Sequence, residues 1–390
     1  MNILLYRYGS ICEPDIISGF EELGFSVDTI TEEIYDKSID GRKQICLLQN
    51  ALDKKNYQFV FTINFFPAIS EICNIYKIPY LCLIVDSPVM ELYSASIANK
   101  VNRIFLFDEA LYQEFSPYNP EGVFHLPLAT NVARWDKTIA QAPESLRRQF
   151  VSDISFIGSL YSEKCPFYDL VFPDSYTEGY VNGILNAQKS VYGYFFLDEV
   201  LSDDLVSEIV AHTPDFYSFP ETARRDDKAA LCQLYLGPKI TEMERREMLT
   251  ALGQHFSVSL YSGSDASALP VHTCGCVKTH TEMPLVFRQS HINLNMTAKS
   301  IRNGIPQRVW DVLGCHGFLI SNYQSEIPAY LIPGDDILRY SSRDELIDLT
   351  AYYMEHPNEC LEIAENAYQK VREYHTYPVR LGQMLELAFF

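Results

Sequence analysis

A chain of 390 residues with 47% apolar and 21% charged residues can build two globular domains, each with its own core. Its net charge of −20 excludes general affinity for nucleic acid or an anionic membrane surface. No apolar run approaches a membrane span, MNILLYRYG lacks the basic leader and cleavage site of a signal peptide, and ten scattered cysteines form no CxxC pair, so a soluble cytoplasmic protein with reduced thiols is expected.

Residues 1 to about 130 alternate apolar runs with amphipathic segments. Asn2 to Tyr8 reads as a strand, and Pro14 opens a helix that ends at Gly24, with Ile16, Ile17, Phe20 and Leu23 on one face. Strands follow at Phe25–Ile30, Phe59–Ile63, Tyr80–Val85, Arg103–Phe107 and Val123–Ala129. Helices are expected at Gly41–Lys54 and near 67–76, 89–99 and 108–116. This alternation predicts right-handed crossovers and a parallel sheet covered on both faces. No GxGxxG follows the first strand, so a dinucleotide is not indicated.

Asp86 directly follows the buried run Tyr80–Val85 and precedes Ser87-Pro88. A carboxylate at the carboxyl end of a parallel strand stands where such sheets bind ligands. It suits a general base or an acceptor-orienting group, and equally a helix cap. Asn64 occupies the equivalent edge and reads as a turn residue, while His125 reads as structural. The first domain spans 1–135, and the charged, weakly patterned residues 136–152 read as a linker.

A second domain is expected over 153–375. It starts with the strand Asp153–Ile157 and then Gly158-Ser159, small residues that let a backbone approach a ligand. Residues of about 160–238 interrupt the alternation with helical segments and read as an insertion. An amphipathic helix over Thr241–Leu252 and a strand over Phe256–Tyr261 follow, and Ser262-Gly263 again puts small residues after a strand. His272-Thr-Cys274-Gly-Cys276, with His280 beyond, lacks the spacing of a zinc ribbon, and no metal centre is expected.

The most informative stretch is 282–323. His291–Met296 reads as a buried strand, Ala298–Ile305 as a loop with Asn303-Gly304 as its turn, and Pro306 as the opening of a helix carrying Val309, Trp310 and Leu313. Phe318–Ile320 returns as a strand. A loop that opens a helix after a buried strand offers free N–H groups to an anion. Residues 282–311 carry four strong bases (Arg288, Lys299, Arg302, Arg308) against two acids (Glu282, Asp311), a positive island in an acidic chain. Residues 376–390 close the chain as a last helix.

The run from Ser300 to Tyr323, with Arg302-Asn303-Gly304-Ile305-Pro306, Arg308, Asp311, Gly314, Gly317 and Asn322, resembles the carboxyl-terminal domain of bacterial CgeB-like (spore-maturation) glycosyltransferases. Ile154–Tyr161, His291–Asn295 and His375–Tyr377 support the likeness, and Ile84–Pro88 with Leu126–Ala129 is similar to the domain that often precedes it. The resemblance implies an α/β protein of the GT-B class: two Rossmann-like domains with parallel sheets facing a central cleft, a helical insertion in the second, and a carboxyl-terminal helix crossing back to the first.

It also implies transfer of a sugar from a UDP- or GDP-linked donor to a glycan, protein or other cell-surface acceptor, with no metal and no cofactor. Gly158, Ser159, Ser262, Gly263, Arg302, Asn303, Gly304, Ile305, Pro306, Arg308, Asp311, Asn322 and Tyr323 would then contact the donor, and Asp86 would act on the acceptor side. Retaining members mark the donor site with two Glu residues eight apart. Asp311 matches the second, which holds the ribose diol, but the first falls on Asn303, so retention and inversion both stay open. A nucleotide-sugar epimerase and a non-catalytic nucleotide-sugar-binding protein are the alternatives.

Overall fold

The computed structural model describes residues 1–163 and 165–390 in full. The chain divides into two compact units, and it passes between them more than once. The first comprises 1–130, 219–225 and 374–390, and the second 131–218 and 226–373.

In the first unit six strands form one parallel sheet: β1 (Asn2–Tyr6), β2 (Ser26–Ile30), β3 (Val60–Ile63), β4 (Tyr80–Leu83), β5 (Asn102–Leu106) and β6 (Val123–His125). Their spatial order is β2-β1-β3-β4-β5-β6. Every residue of β3 and β4 is buried, as strands covered by helices on both faces require, whereas edge strand β2 buries only Ile30. Strand order reverses between β1 and β3, and in open α/β sheets ligands bind outside the carboxyl ends of such a pair.

Two expectations fail in this unit. No continuous helix covers 89–99: two short 3-10 turns, Met90–Tyr93 and Ala95–Ala98, are separated by the extended residue Ser94. The break has a cause, because Ser94 bridges Ala223 and the Ala95 N–H donates to the Thr222 carbonyl at 3.1 Å. Residues 219–225 thus lie on the first unit as a strap, with the Arg224 guanidinium 4.3 Å from the Tyr118 ring centroid. The last strand stops at His125, before Pro127, rather than running to Ala129.

The terminal helix Tyr377–Phe389 also belongs to this unit. A Cβ on Gly19 would stand 2.8 Å from Leu381 Cδ1, so the absence of a side chain there sets how closely this helix and Glu13–Glu22 pack. Arg103 Nε donates to the Ala388 carbonyl at 2.9 Å and fixes the helix end.

The second unit holds another six-stranded parallel sheet: β7 (Ser152–Ile157), β8 (Val258–Tyr261), β9 (His272–Thr273), β10 (Ser290–Asn295), β11 (Leu319–Asn322) and β12 (Leu338–Tyr340). Its order is β12-β11-β10-β7-β8-β9, so the reversal falls between β7 and β10. The two-residue edge strand β9 takes up His272 and Thr273, immediately before Cys274.

The expected linker 136–152 is structured and lies in this unit. Helix Val132–Gln141 is capped by Asn131, whose side chain accepts from the Arg134 N–H, and Tyr368 donates its hydroxyl to Asp136 at 2.7 Å. Only Val132 and Trp135 of this helix are buried, which is why its pattern looked weak. The insertion has its own small core of Val181, Leu185, Leu197, Ile209, Leu231 and Leu236. In the insertion a helix starts at Asp227, capped by Asp226, and runs through a π-helical turn at Leu231–Leu236 into Gly237–Gly253.

Candidate active site

Asparagines set the ligand edge of the second sheet. Asn293 lies in mid-sheet and donates to the carbonyls of Phe287 and Phe318. Asn295, at the end of β10, donates to the Ser321 hydroxyl at 2.8 Å. Asn322, at the end of β11, accepts from the Thr297 N–H at 2.8 Å. Each bond joins β10 or the loop after it to a neighbouring element, so this loop leaves the sheet in a fixed direction. Buried polar groups that satisfy one another in this way also fix strand register.

The loop 298–306 carries Lys299 and Arg302, and both line one pocket with Asn322, Tyr323, Thr297 and Tyr192. Lys299 is 8% exposed. Its ammonium lies 3.2 Å from the fully buried Glu244 carboxylate and 4.0 Å from the Tyr192 ring centroid. Burial, and then the Glu244 charge, push the Tyr192 phenol far above its ordinary pKa, so it stays a neutral wall. Gly193 has a φ of +73°, and a Cβ there would lie 2.4 Å from Tyr323 Cε1. Glycine is therefore what lets the 190s loop close over the Tyr323 ring.

Arg245, from helix Gly237–Gly253, reaches the reversal point itself. Nη1 donates to the Ser159 carbonyl at 2.6 Å, just past β7, and Nη2 donates to the Met296 carbonyl, just past β10. Its guanidinium lies between the rings of Tyr161 and Phe156, at 4.9 and 5.3 Å. Burial pushes its pKa down from the ordinary value. The neighbouring loops are joined by Glu163, which accepts from Ser159 at 2.7 Å and from Ser264 at 2.9 Å. Ser264 is held in turn by the Ser262 hydroxyl, which accepts from its N–H. A Cβ on Gly263 would meet Cys276 Sγ at 3.2 Å, so that strand end is crowded on one side.

Helix Gln307–Gly314 begins after Pro306, which is its cap residue with a ψ of 158° rather than part of its first turn. Gly304 and Ile305 are buried, and the Asn303 carbonyl accepts from the Glu326 N–H. Arg308 and Asp311 do not line the Lys299–Arg302 pocket. The Arg308 guanidinium lies 5.4 Å from the Phe287 ring centroid, next to Met283, and burial pushes its pKa down against the pull of Asp311. Asp311 is 6% exposed and accepts from the Gln307 side chain at 3.0 Å. The predicted donor residues therefore fall into four groups: Arg302, Asn322 and Tyr323 in the pocket, Gly158, Ser159, Ser262 and Gly263 at the ends of β7 and β8, Asn303, Gly304, Ile305 and Pro306 in the loop that leads to the helix, and Arg308 and Asp311 along it.

In the first unit, Asp86 follows β4 and is exposed in a separate pocket with Tyr8, Asn64 and Phe66. Asn64 is at the end of β3 with a φ of +57°. Its Nδ2 donates to Asp86 at 2.6 Å and to the Tyr8 hydroxyl at 3.0 Å, while its Oδ1 accepts from the Val85 N–H at 3.0 Å. The turn role expected of Asn64 is real, since asparagine tolerates the left-handed region. Its hold on Asp86 was not visible in the sequence. Lys299 belongs to the basic island that the sequence shows, but Arg245, Glu244 and Tyr192 have no sequence signal: they come from a helix and a loop far from it in the chain. Among the described residues no group of three His, Cys, Asp or Glu side chains is arranged to hold a metal ion.

Residues 245–386 match a protein-family model described as glycosyl transferase-like. No curated protein matches the sequence. Solved structures align with the whole chain. The sucrose-phosphate synthase of Thermosynechococcus elongatus is 10% identical with a TM-score of 0.56, over 100% of this chain and 99% of that one. The fold is GT-B. A glycosyltransferase from Rickettsia africae gives 11% identity and a TM-score of 0.55 over 99% and 97% of the two chains. HepE of Anabaena, solved in complex with UDP and glucose, gives 11% and 0.54 over 99% and 98%. At such identities the likeness carries the GT-B fold, and function has to be argued from the site.

Proposed function

We propose that this GT-B protein is a hexosyltransferase that moves a sugar from a nucleoside diphosphate sugar to a hydroxyl acceptor, and that it belongs with the CgeB-like enzymes. The observation that carries the reading is the convergence of Lys299 and Arg302 with Asn322 and Tyr323 in one pocket, at the carboxyl edge of a parallel sheet in a chain of net charge −20. UDP is favoured over GDP as the nucleotide because HepE, which shares the fold, binds UDP.

In this reading the acceptor oxygen forms a bond to the anomeric carbon as the bond from that carbon to the phosphate oxygen breaks. The electron pair leaves with the nucleoside diphosphate. Lys299, Arg302 and the N–H groups of Asn303, Gly304 and Ile305 meet the charge that develops there, fixed in place before the reaction. The chain's own cations do the work that a metal ion does in other transferases, so a chelator should leave turnover intact. Asp311 is proposed to accept from the ribose diol, with Arg308 beside it, and Gly158-Ser159 and Ser262-Gly263 to let backbone approach the donor. The acceptor proton passes to Asp86 if the configuration inverts, or to the departing phosphate oxygen if it is retained.

Turnover of UDP-sugars with and without acceptor-containing cell extract tests this. Extract-dependent release of UDP supports transfer. Conversion of the donor without extract would mean epimerisation, and binding without turnover would mean a non-catalytic role.

A further inference from the structure

The pocket that holds Asp86 has a composition of its own. Its floor is aromatic and aliphatic: Tyr8, Phe66 and Val89, with the Tyr8 and Phe66 ring centroids 5.6 Å apart and tilted by 54°. Its charged groups are Asp86 and Glu91, and no lysine, arginine or histidine lines it. Burial, and then the Asp86 charge, push the Tyr8 phenol up, so its ring is neutral at any working pH. The pocket lies outside the reversal of strand order between β1 and β3, the place in such a sheet where a ligand is expected.

We infer that this pocket selects an acceptor presenting an unphosphorylated sugar ring, with one hydroxyl on Asp86 and an apolar ring face over Tyr8 and Phe66. The proposal rests on the transferase reading above and narrows its acceptor. A pyranose has a C–H face that packs on aromatic rings and an equatorial rim of hydroxyls that donate to carboxylates. A phosphate monoester would bring about two negative charges beside two carboxylates in a lining without a basic side chain, where the nearby Lys37 ammonium lies over the Tyr8 ring at 5.8 Å and donates to the Tyr8 carbonyl. Asn64 is the positioning residue, because one amide group holds both Asp86 and the Tyr8 hydroxyl.

The test pairs ligand-observed NMR with a transfer assay. Saturation transfer is measured from the protein to methyl hexosides and to the matching hexose 6-phosphates, and UDP release is measured with each as acceptor. Methyl hexosides should receive saturation on their ring C–H protons, and hexose phosphates at least tenfold less. Phe66→Ala should abolish that signal and raise the acceptor KM about tenfold or more, with UDP affinity measured by calorimetry unchanged. Glu91→Arg should narrow the gap between phosphorylated and unphosphorylated acceptors. Preference for the phosphorylated compound, no saturation of either one, or an unaffected signal in Phe66→Ala overturns the inference. Loss of UDP binding in the wild-type protein instead overturns the donor reading, and the NMR result then stands on its own.

Discussion

The ammonium of Lys299 lies 3.2 Å from the carboxylate of Glu244, and both are buried at the edge of the pocket that contains Arg302. A buried pair of this kind is costly to break from one side, because the remaining charge has no water to solvate it. Lys299→Met should therefore lower unfolding stability by about 3–5 kcal/mol. Adding Glu244→Gln should restore part of that loss. Urea midpoints of the three proteins decide it, and a single variant as stable as the wild type would contradict the pairing. Both variants should bind UDP more weakly, since Lys299 also faces the pocket.

Arg245 joins the ends of β7 and β10 through two separate nitrogens. A lysine ammonium is a single point donor and cannot span both carbonyls. Arg245→Lys should cost about 1–3 kcal/mol of stability, as expected for leaving one buried carbonyl unsatisfied. It should also weaken UDP binding, because the loops after both strands lose their common anchor. Equal stability and equal affinity in that variant would show that the two loops hold their positions without it.

Asn64 has a left-handed backbone, so glycine removes its side chain without adding strain. Asn64→Gly should leave UDP affinity unchanged and lower kcat by about ten- to a hundredfold, through a displaced Asp86. Alanine at the same position should in addition cost about 1 kcal/mol for the left-handed conformation. Steady-state rates read alongside calorimetry check this, and an unaltered kcat in Asn64→Gly would remove Asp86 from the chemistry or Asn64 from its support.

His316 has a φ of +62°, stacks on Tyr368 at 4.8 Å and pairs with Glu365. Burial, and then the Arg288 charge, depress its pKa below the ordinary histidine value despite the pull of Glu365. The folded protein thus binds this proton less readily than the unfolded chain. Between the two pKa values the unfolded state carries more protons, so stability falls as pH drops below about 6.5. His316→Asn, which tolerates the same backbone, should flatten that part of the stability–pH curve. A profile between pH 5 and 7 identical to that of the wild type would contradict it.

The two parallel sheets were legible because β3, β4, β7, β10 and β11 are apolar runs separated by helical patterns. The positive loop before Gln307 was legible because Asn303-Gly304 and Pro306 punctuate it. What the sequence hid is what tertiary contact decides. Helix Val132–Gln141 buries two residues and so looked like a linker. The 89–99 segment broke into turns because Ser94 pairs with Ala223, more than a hundred positions away. The resemblance assigns Arg302, Arg308 and Asp311 alike to the donor, yet Arg308 lies against Phe287 and Asp311 accepts from Gln307, outside the pocket that Arg302 lines.

The central claim is that the second unit grips a nucleoside diphosphate through Lys299 and Arg302, on the loop that follows β10. Calorimetric titration of UDP into the wild type, Arg302→Met and Lys299→Met tests it most directly. The account predicts saturable binding to the wild type and an affinity at least about tenfold lower in each variant, since each loses one charge-assisted contact. Wild-type protein that gives no binding heat with UDP or GDP, or variants that bind as tightly as the wild type, would contradict it.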